Sequence, residues 1–267
     1  MSQNLAYIHP DAKIGKDVTV EPFAYIAGNV EIGDGTWIGP NATILDGARI
    51  GKNCRIFPGA VISAIPQDLK FRGEETTAEI GYNTTMRECV TVNRGTKSRG
   101  KTVIGSNCLL MAYVHVGHDC ILGNDIILGN GTQLAGEVEV DDWAIVSAHT
   151  LVHQFERIGP HVMIQGGSKV NKDIPPFIIA AREPITFAGI NIIGLRRRGY
   201  DAYKVGEIQE IYRTLYAKGM NVSQAVAHIE ANMTQTPERD LILNFIKGSK
   251  RGIVREYAGD PSDGLDD

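Results

Sequence analysis

The sequence predicts an all-β parallel β-helix built on a six-residue repeat, followed by a small α-helical domain. Aliphatic residues recur at every sixth position from Ile8 to Val170, and 25 of these 28 positions hold an aliphatic residue or Met, where the overall hydrophobic content of 43% would give roughly 12. After residue 186 the apolar spacing changes to three or four. We therefore divide the chain into a β-helix over 1–186 and a helical domain over 187–257.

Three hexads complete one coil of a three-sided prism, so residue n lies beneath residue n+18, about 4.8 Å away. Proteins built on this repeat coil left-handed, an exception to the usual crossover rule. Glycine follows the aliphatic position in many hexads, for example Gly33, Gly117 and Gly123. We interpret these glycines as residues that help the chain turn each corner.

The repeat fails at Asp68, Glu74 and Ser98. An unpaired carboxylate is too costly to bury in an aliphatic core, so these positions predict loops ejected from the prism, near 63–79 and 93–103. Ejected loops on a rigid scaffold often carry function.

The helical domain follows the Pro175–Pro176 pair and contains three segments with helical periodicity, with Asn221 or Ser223 as the cap of one of them. The last residues, 258–267, are acidic and contain Gly and Pro, which predicts a disordered tail.

Composition narrows the function classes. The net charge of −4 argues against general nucleic-acid binding, which needs a basic footprint. The N-terminus has no signal-peptide pattern, and no apolar run approaches the ~18 residues of a membrane span, so we expect a cytoplasmic protein.

Two histidines and an aspartate lie in the segment AYVHVGHDCILG, residues 112–123. His118 occupies an outward position of its hexad, and Gly136 lies one coil above it. A neutral imidazole beneath an approachable backbone N–H suits acyl transfer, with His118 as general base and Gly136 as oxyanion donor. We expect Asp119 to orient the ring, although strand alternation could also point the two side chains apart.

A zinc site is the alternative for the histidines, because hexapeptide folds also host zinc enzymes. Such a site needs histidines stacked one or two coils apart, and no two of the seven histidines have that spacing. We therefore predict no metal.

The segments NLAYIHPDAKIG, QDLKFRGE, TVNRGT, VHVGHDC, LAGEVEVDD, VHQFERIGPHVMI and GINIIGLRRRG occur in an order that resembles the UDP-N-acetylglucosamine O-acyltransferase family over nearly the whole chain. The resemblance implies a homotrimer with active sites between adjacent prisms. It also implies transfer of an (R)-3-hydroxyacyl group from acyl carrier protein to the 3-hydroxyl of UDP-N-acetylglucosamine, the first step of lipid A synthesis, without a further cofactor.

The resemblance assigns roles to individual residues. His118 matches the general base and Gly136 the oxyanion donor. The residues that it implies for binding the sugar nucleotide, pantetheine and phosphate are Asp68, Lys70, His115, His153, Gln154, Asn191 and Arg197. Gly166 matches the position that limits acyl-chain length, and a glycine there predicts a chain on the order of 14 carbons or more, because each buried methylene contributes about 0.8 kcal/mol.

A basic cluster near the end of the prism predicts docking of the acidic carrier protein. Its residues are Arg196, Arg198, Lys169 and Lys172, with Arg197 between the two arginines. Glu137 departs from the family pattern, because many relatives have histidine beside the oxyanion glycine.

Two other classes stay open. A coenzyme A-dependent acetyltransferase shares the prism but does not explain the Asp68 loop together with GINIIGLRRRG. A non-catalytic trimeric scaffold needs no alignment of His118 with Gly136.

Overall fold

The computed structural model describes residues 5–217 and 219–256. Twenty-five short strands wind into three parallel sheets, which we call faces A, B and C, and two longer strands extend face C at its C-terminal end. Face A contains Tyr7–Ile8, Tyr25–Ile26, Thr43–Ile44, Val61–Ala64, Thr91–Asn93, His115–Val116, Gln133–Leu134, Leu151–Val152 and Lys169–Val170. Face B contains Lys13–Ile14, Glu31–Ile32, Ala48–Ile50, Thr77–Ile80, Lys101–Ile104, Ile121–Leu122, Glu139–Val140 and Arg157–Ile158. Face C contains Thr19–Val20, Trp37–Ile38, Arg55–Ile56, Thr85–Met86, Leu109–Leu110, Ile127–Leu128, Ile145–Val146, Met163–Ile164, Ile178–Ala181 and Thr186–Ile190.

The predicted fold class, a left-handed parallel β-helix with C-terminal helices, is confirmed. Each two-residue strand ends on the aliphatic residue or Met of its hexad, and those residues form the core; Ile26, Ile38 and Ile44 are fully buried. Ile8 and Ile14 are 38% and 36% exposed, because their strands are the edge strands of faces A and B among the described residues.

The corner glycines have a different role from the one the sequence suggested. Gly33 and Gly117 do not have a positive φ, and the left-handed region is instead occupied at the fourth position of the hexads, as at Asp119 with φ 59°. A Cβ on Gly33 would lie 2.7 Å from the backbone of Gly51 in the next coil. Adjacent coils approach so closely at these glycines that no side chain fits between them, and glycine is therefore required there.

Both interruptions of the repeat form loops. Val61 pairs with Thr91, five hexads later, and Thr91 pairs with His115, four hexads later, where a regular coil has three. The loops at 65–76 and 94–100 thus add two hexads and one hexad, which preserves the alternation of inward and outward side chains above them.

The last two strands of face C, Ile178–Ala181 and Thr186–Ile190, pair antiparallel. Four helices follow: α1 Ile192–Arg197, α2 Ala202–Ala217, α3 Val222–Asn232 and α4 Pro237–Lys247. The helical part thus begins at 192 and not at 187. Asn221 caps α3 and exchanges hydrogen bonds with Gln224 in a capping box.

The chain then returns to the prism, where Ile253 pairs with Asp173 and covers the last coil. The tail predicted over 258–267 lies outside the described residues. No helix among the described residues is long and apolar enough to cross a membrane.

Candidate active site

Three segments that the sequence singled out share one edge of the prism, the edge where the chain passes from face A to face B, which we call the A–B edge. The loops at 65–76 and 94–100 leave the prism there, and the turn that carries His118 and Asp119 occupies the next coil. Adjacent coils are about 4.8 Å apart, so both loops lie within about 10 Å of this turn along the axis.

His118 and Asp119 point toward each other although they are neighbours in sequence. The left-handed φ of 59° at Asp119 reverses the alternation that a strand would impose. As a result His118 Nδ1 lies 2.8 Å from Asp119 Oδ2, with the Asp119 side chain fully buried and that of His118 only 12% exposed. That Asp119 orients the ring stays a prediction, and the 2.8 Å contact is the geometry that such a role requires.

The contacts of Asp119 fix the tautomer of His118. The carboxylate also accepts hydrogen bonds from the Thr96 N–H at 2.9 Å, the Thr96 hydroxyl at 2.6 Å and the Arg99 N–H at 3.1 Å. An ionised carboxylate only accepts hydrogen bonds, so His118 Nδ1 must carry the proton. Nε2 of the neutral ring then presents a lone pair, as a general base requires.

The charge on Asp119 is stabilised by these donors. Burial alone would raise the pKa of its carboxyl, but the hydrogen bonds from Thr96, His118 and Arg99 outweigh burial and hold the pKa below its ordinary value.

Gly136 lies directly over the ring. A Cβ on Gly136 would be 2.5 Å from His118 Nε2 and 2.6 Å from Cε1. Glu137 N–H donates to the His118 carbonyl at 2.9 Å, which fixes the two turns relative to each other. The Gly136 N–H donates to no acceptor among the described residues, so it is available to a ligand.

His115 is the first residue of the strand His115–Val116 on face A, which leads into the same edge. Its Nδ1 is 2.7 Å from the Thr91 hydroxyl. Burial, and to a smaller extent His118, lowers the pKa of His115 and favours the neutral ring. The site therefore places a second imidazole, on the strand His115–Val116, beside His118.

His153 and Gln154 continue this edge one coil above Gly136. His153 Nδ1 lies 3.0 Å from the Gln154 carbonyl oxygen, and its side chain is exposed. Glu137 is near Arg99, with 4.0 Å between Oε2 and Nε, so a carboxylate and a guanidinium occupy the place beside the oxyanion glycine.

Asp68 and Lys70 lie on the larger loop at the same edge. Asp68 Oδ1 accepts the Lys70 N–H at 2.9 Å, which shapes the loop, while the Lys70 side chain is exposed. Leu69 between them is 95% exposed. No hydrogen bond in the described part of the chain joins this loop to His118.

Asn191 and Arg197 lie at a different edge of the prism, between faces B and C. Asn191 is buried, caps α1 by accepting the Gly194 N–H, and donates to the His161 carbonyl at 2.9 Å. Arg197 is exposed in the last turn of α1. Within one chain, the predicted pantetheine and phosphate residues are thus separated from His118 by the width of face B.

Gly166 lies at the third edge, between faces C and A, and is exposed. A Cβ there would be 3.1 Å from the Ala148 carbonyl oxygen and otherwise in ordinary contact. No side chain occupies this edge at residue 166.

The basic residues predicted to dock the carrier protein differ in availability. Lys169 and Arg196 are exposed. Lys172 Nζ donates to the Arg251 carbonyl at 2.5 Å, and the Arg198 guanidinium lies 5.1 Å from the centre of the Trp143 ring. Docking by all four stays a prediction, and the structure gives two of them internal contacts as well.

Sequence reasoning missed Thr96 and Arg99, which contact Asp119 from the smaller loop. Neither lies a whole coil away from Asp119 in sequence, because the loop adds one hexad between the strands that flank it. The failed repeat position at Ser98 was the signal that pointed to this loop.

No group of three His, Cys, Asp or Glu side chains among residues 5–217 and 219–256 is arranged to hold a metal ion.

Known proteins resemble this chain over most of its length. A family model described as Udp N-acetylglucosamine O-acyltransferase, Domain 2, matches residues 173–254. A second, described as bacterial transferase hexapeptide (six repeats), matches residues 29–64 and 101–136. The acyl-[acyl-carrier-protein]–UDP-N-acetylglucosamine O-acyltransferase of Ectopseudomonas mendocina (strain ymp) is 42% identical over 189 residues, which are 70% of this chain and 73% of the relative.

Solved structures show the same similarity. The UDP-N-acetylglucosamine acyltransferase of Bacteroides fragilis 9343 is 56% identical with a TM-score of 0.93, and the match covers 96% of this chain and 100% of that one. The UDP-N-acetylglucosamine acyltransferase of Francisella novicida is 40% identical with a TM-score of 0.92, over 98% and 95% of the two chains.

Proposed function

The chain belongs to the UDP-N-acetylglucosamine O-acyltransferase family, and we propose that it transfers an (R)-3-hydroxyacyl chain from acyl carrier protein to the 3-hydroxyl of UDP-N-acetylglucosamine, the first step of lipid A synthesis. The observation that carries the chemical part of the proposal is the stacking of His118 beneath the unpaired N–H of Gly136 within the described part of the chain.

The reaction begins with proton transfer. His118 Nε2 removes the proton from the sugar hydroxyl as its oxygen attacks the thioester carbonyl carbon. The charge that develops on the carbonyl oxygen is held by the Gly136 N–H. The tetrahedral intermediate then expels the pantetheine sulfur, and His118 gives the proton that it took from the sugar hydroxyl to this sulfur. An ester and a free thiol are formed. A positioned general base contributes roughly 10²–10⁴-fold, and one oxyanion donor about 10²–10³-fold.

Asp119 supports both halves of the cycle. Its buried charge stabilises the imidazolium that exists between the two proton transfers, and its hydrogen bond keeps Nε2 directed at the reacting oxygen. It does not itself take the proton.

Assembly as a homotrimer is part of the proposal. Asn191 and Arg197 lie at the B–C edge, whereas His118 lies at the A–B edge of the same chain. A second copy that brings its own B–C edge against the A–B edge would complete one site from two chains, and three copies with rotational symmetry give three such sites.

The donor is a carrier protein with a covalently attached pantetheine, so no separate cofactor is required. The exposed cations Lys169, Arg196 and Arg197 suit the acidic surface of such a carrier. A cytoplasmic location is likewise part of the proposal and rests on the family resemblance.

The test compares donors and acceptors with the purified protein. We expect transfer from 3-hydroxyacyl carrier protein to UDP-N-acetylglucosamine, with much slower transfer when acetyl coenzyme A replaces the donor. A matched acceptor that lacks the 3-hydroxyl should receive nothing. Rapid transfer from acetyl coenzyme A would instead favour the coenzyme A-dependent class, and no transfer by folded protein would favour the scaffold.

A further inference from the structure

The smaller ejected loop, residues 94–100, forms the wall of the pocket that holds Asp119. Both carboxylate oxygens are used: Oδ1 accepts the N–H groups of Thr96 and Arg99, and Oδ2 accepts the Thr96 hydroxyl and the His118 ring. Thr96 is only 7% exposed, so water does not compete for these contacts.

The Thr96 hydroxyl has a fixed direction. Its oxygen accepts the Ser98 N–H at 3.1 Å, so its own proton is left to donate to Asp119 Oδ2 at 2.6 Å. A hydroxyl already used as an acceptor by its own loop is oriented before the substrate arrives.

Two further contacts hold the loop against the prism. The Arg99 side chain crosses to Glu139 on face B, with 2.6 Å between Nη2 and Oε1. The Thr76 hydroxyl donates to the Gly95 carbonyl at 2.6 Å from the other side. The loop is therefore anchored at both ends around Thr96.

We propose that Thr96 is a positioning residue for the reaction, because it fixes the orientation and the charge of Asp119 and thereby directs the His118 ring at the acceptor hydroxyl. This inference rests on the proposed function. In this way the extra hexad at 94–100 serves the reaction. Its residues donate hydrogen bonds to the Asp119 carboxylate, which in a regular coil would contact only the His118 side chain.

The experiment measures kcat, KM for UDP-N-acetylglucosamine and the pH dependence of kcat/KM for wild type, Thr96→Val and Thr96→Ser. We expect Thr96→Val to lower kcat by roughly tenfold or more with KM unchanged, as is common when the partner behind a functional side chain is removed. The acidic limb of the profile should move to higher pH, because a carboxylate that has lost a donor stabilises the neighbouring imidazolium, the form that cannot act as a base, more strongly. Thr96→Ser keeps the hydroxyl and should restore both.

Ser98→Ala is the matched control, because Ser98 lies on the same loop and only its backbone N–H takes part in the network. It should behave as wild type. If Thr96→Val does not fold, Thr96→Ala removes the same hydroxyl without adding a methyl group in its place, and the same three measurements apply.

The inference is overturned if the folded Thr96 variant keeps wild-type kcat, or if kcat falls while the acidic limb stays in place and serine does not restore activity. A parallel His118→Ala variant distinguishes failure of the Thr96 inference from failure of the proposed mechanism. If that variant is inactive while Thr96→Val is fully active, only the role of Thr96 fails; if His118→Ala is itself active, the proposed mechanism fails.

Discussion

Gly136 and His118 are one coil apart, and a Cβ on Gly136 would lie only 2.5 Å from His118 Nε2. The ring has little freedom to move away, because Asp119 Oδ2 holds its other nitrogen at 2.8 Å. The absence of a side chain at Gly136 is therefore what allows the imidazole and the backbone N–H to face one reaction site, the imidazole at the attacking hydroxyl and the N–H at the carbonyl oxygen.

Replacement of Gly136 by Ala should accordingly remove activity and leave the fold in place. We expect kcat to fall by about 10² or more, because the methyl group pushes the His118 ring out of line with the Gly136 N–H that holds the oxyanion. The control is Gly206→Ala, which adds a methyl group in open space on α2. Steady-state kinetics and thermal unfolding distinguish the cases: full activity in Gly136→Ala would contradict the stacked geometry.

Mixed trimers test whether one site uses two chains. His118→Ala inactivates the A–B edge of its chain and Arg197→Ala inactivates the B–C edge. In trimers assembled at random from equal amounts of the two variants, about one interface in four joins an intact A–B edge to an intact B–C edge. We therefore expect mixed trimers to regain up to about a quarter of wild-type activity. Each variant alone and a mixture of preformed trimers are the controls. Absence of any recovery in verified mixed trimers would place all functional residues within one chain.

Glu156 gives the fold a pH dependence. Its side chain is fully buried at the fifth position of its hexad, the position that Cys120 occupies two coils earlier. Arg251 Nε lies 2.9 Å from Glu156 Oε1. Burial and the Asp173 carboxylate raise the pKa of Glu156 from 4.5 to about 7, while Arg251 and Lys172 oppose this.

Because the folded pKa is above the unfolded one, this carboxyl favours the folded state most at low pH. Its contribution should diminish as pH rises from about 4.5 through about 7. Glu156→Gln should therefore unfold at a higher urea concentration than wild type at pH 8, with the difference vanishing near pH 4. Glu75→Gln, an exposed substitution, is the control. A constant difference across this range would show that Glu156 does not titrate as expected.

The acyl chain should be long because Gly166 leaves the third edge open. In a series of 3-hydroxyacyl carrier proteins we expect the highest kcat/KM at about 14 carbons or more, on the order of one favourable methylene contribution per added carbon while the groove lasts. Gly166→Met should shift the preference to shorter chains. A strong preference of the wild type for donors of about 10 carbons would contradict the open groove.

The six-residue repeat was enough to predict the prism, since each aliphatic position must be buried, and a strand has only two sides. It also predicted the alignment of His118 with Gly136, because three hexads make one coil. The two ejected loops were visible as Asp68, Glu74 and Ser98 at positions where a carboxylate or hydroxyl has no place in the core.

The six-residue repeat could not predict the contacts between side chains. Whether Asp119 meets His118 depends on a left-handed φ that no spacing reveals, and the meeting of Thr96 with Asp119 depends on the path of a loop. The place of Asn191 followed from tertiary packing, because its amide caps α1 and binds the last coils rather than facing the A–B edge.

The most direct test of His118 as a metal-free general base is single-turnover acyl transfer by wild type and His118→Ala, each with and without a strong chelator. We expect wild-type transfer to survive chelation and the variant to be slower by about 10² or more at unchanged affinity for the sugar nucleotide. Transfer by His118→Ala at the wild-type rate would contradict the assignment.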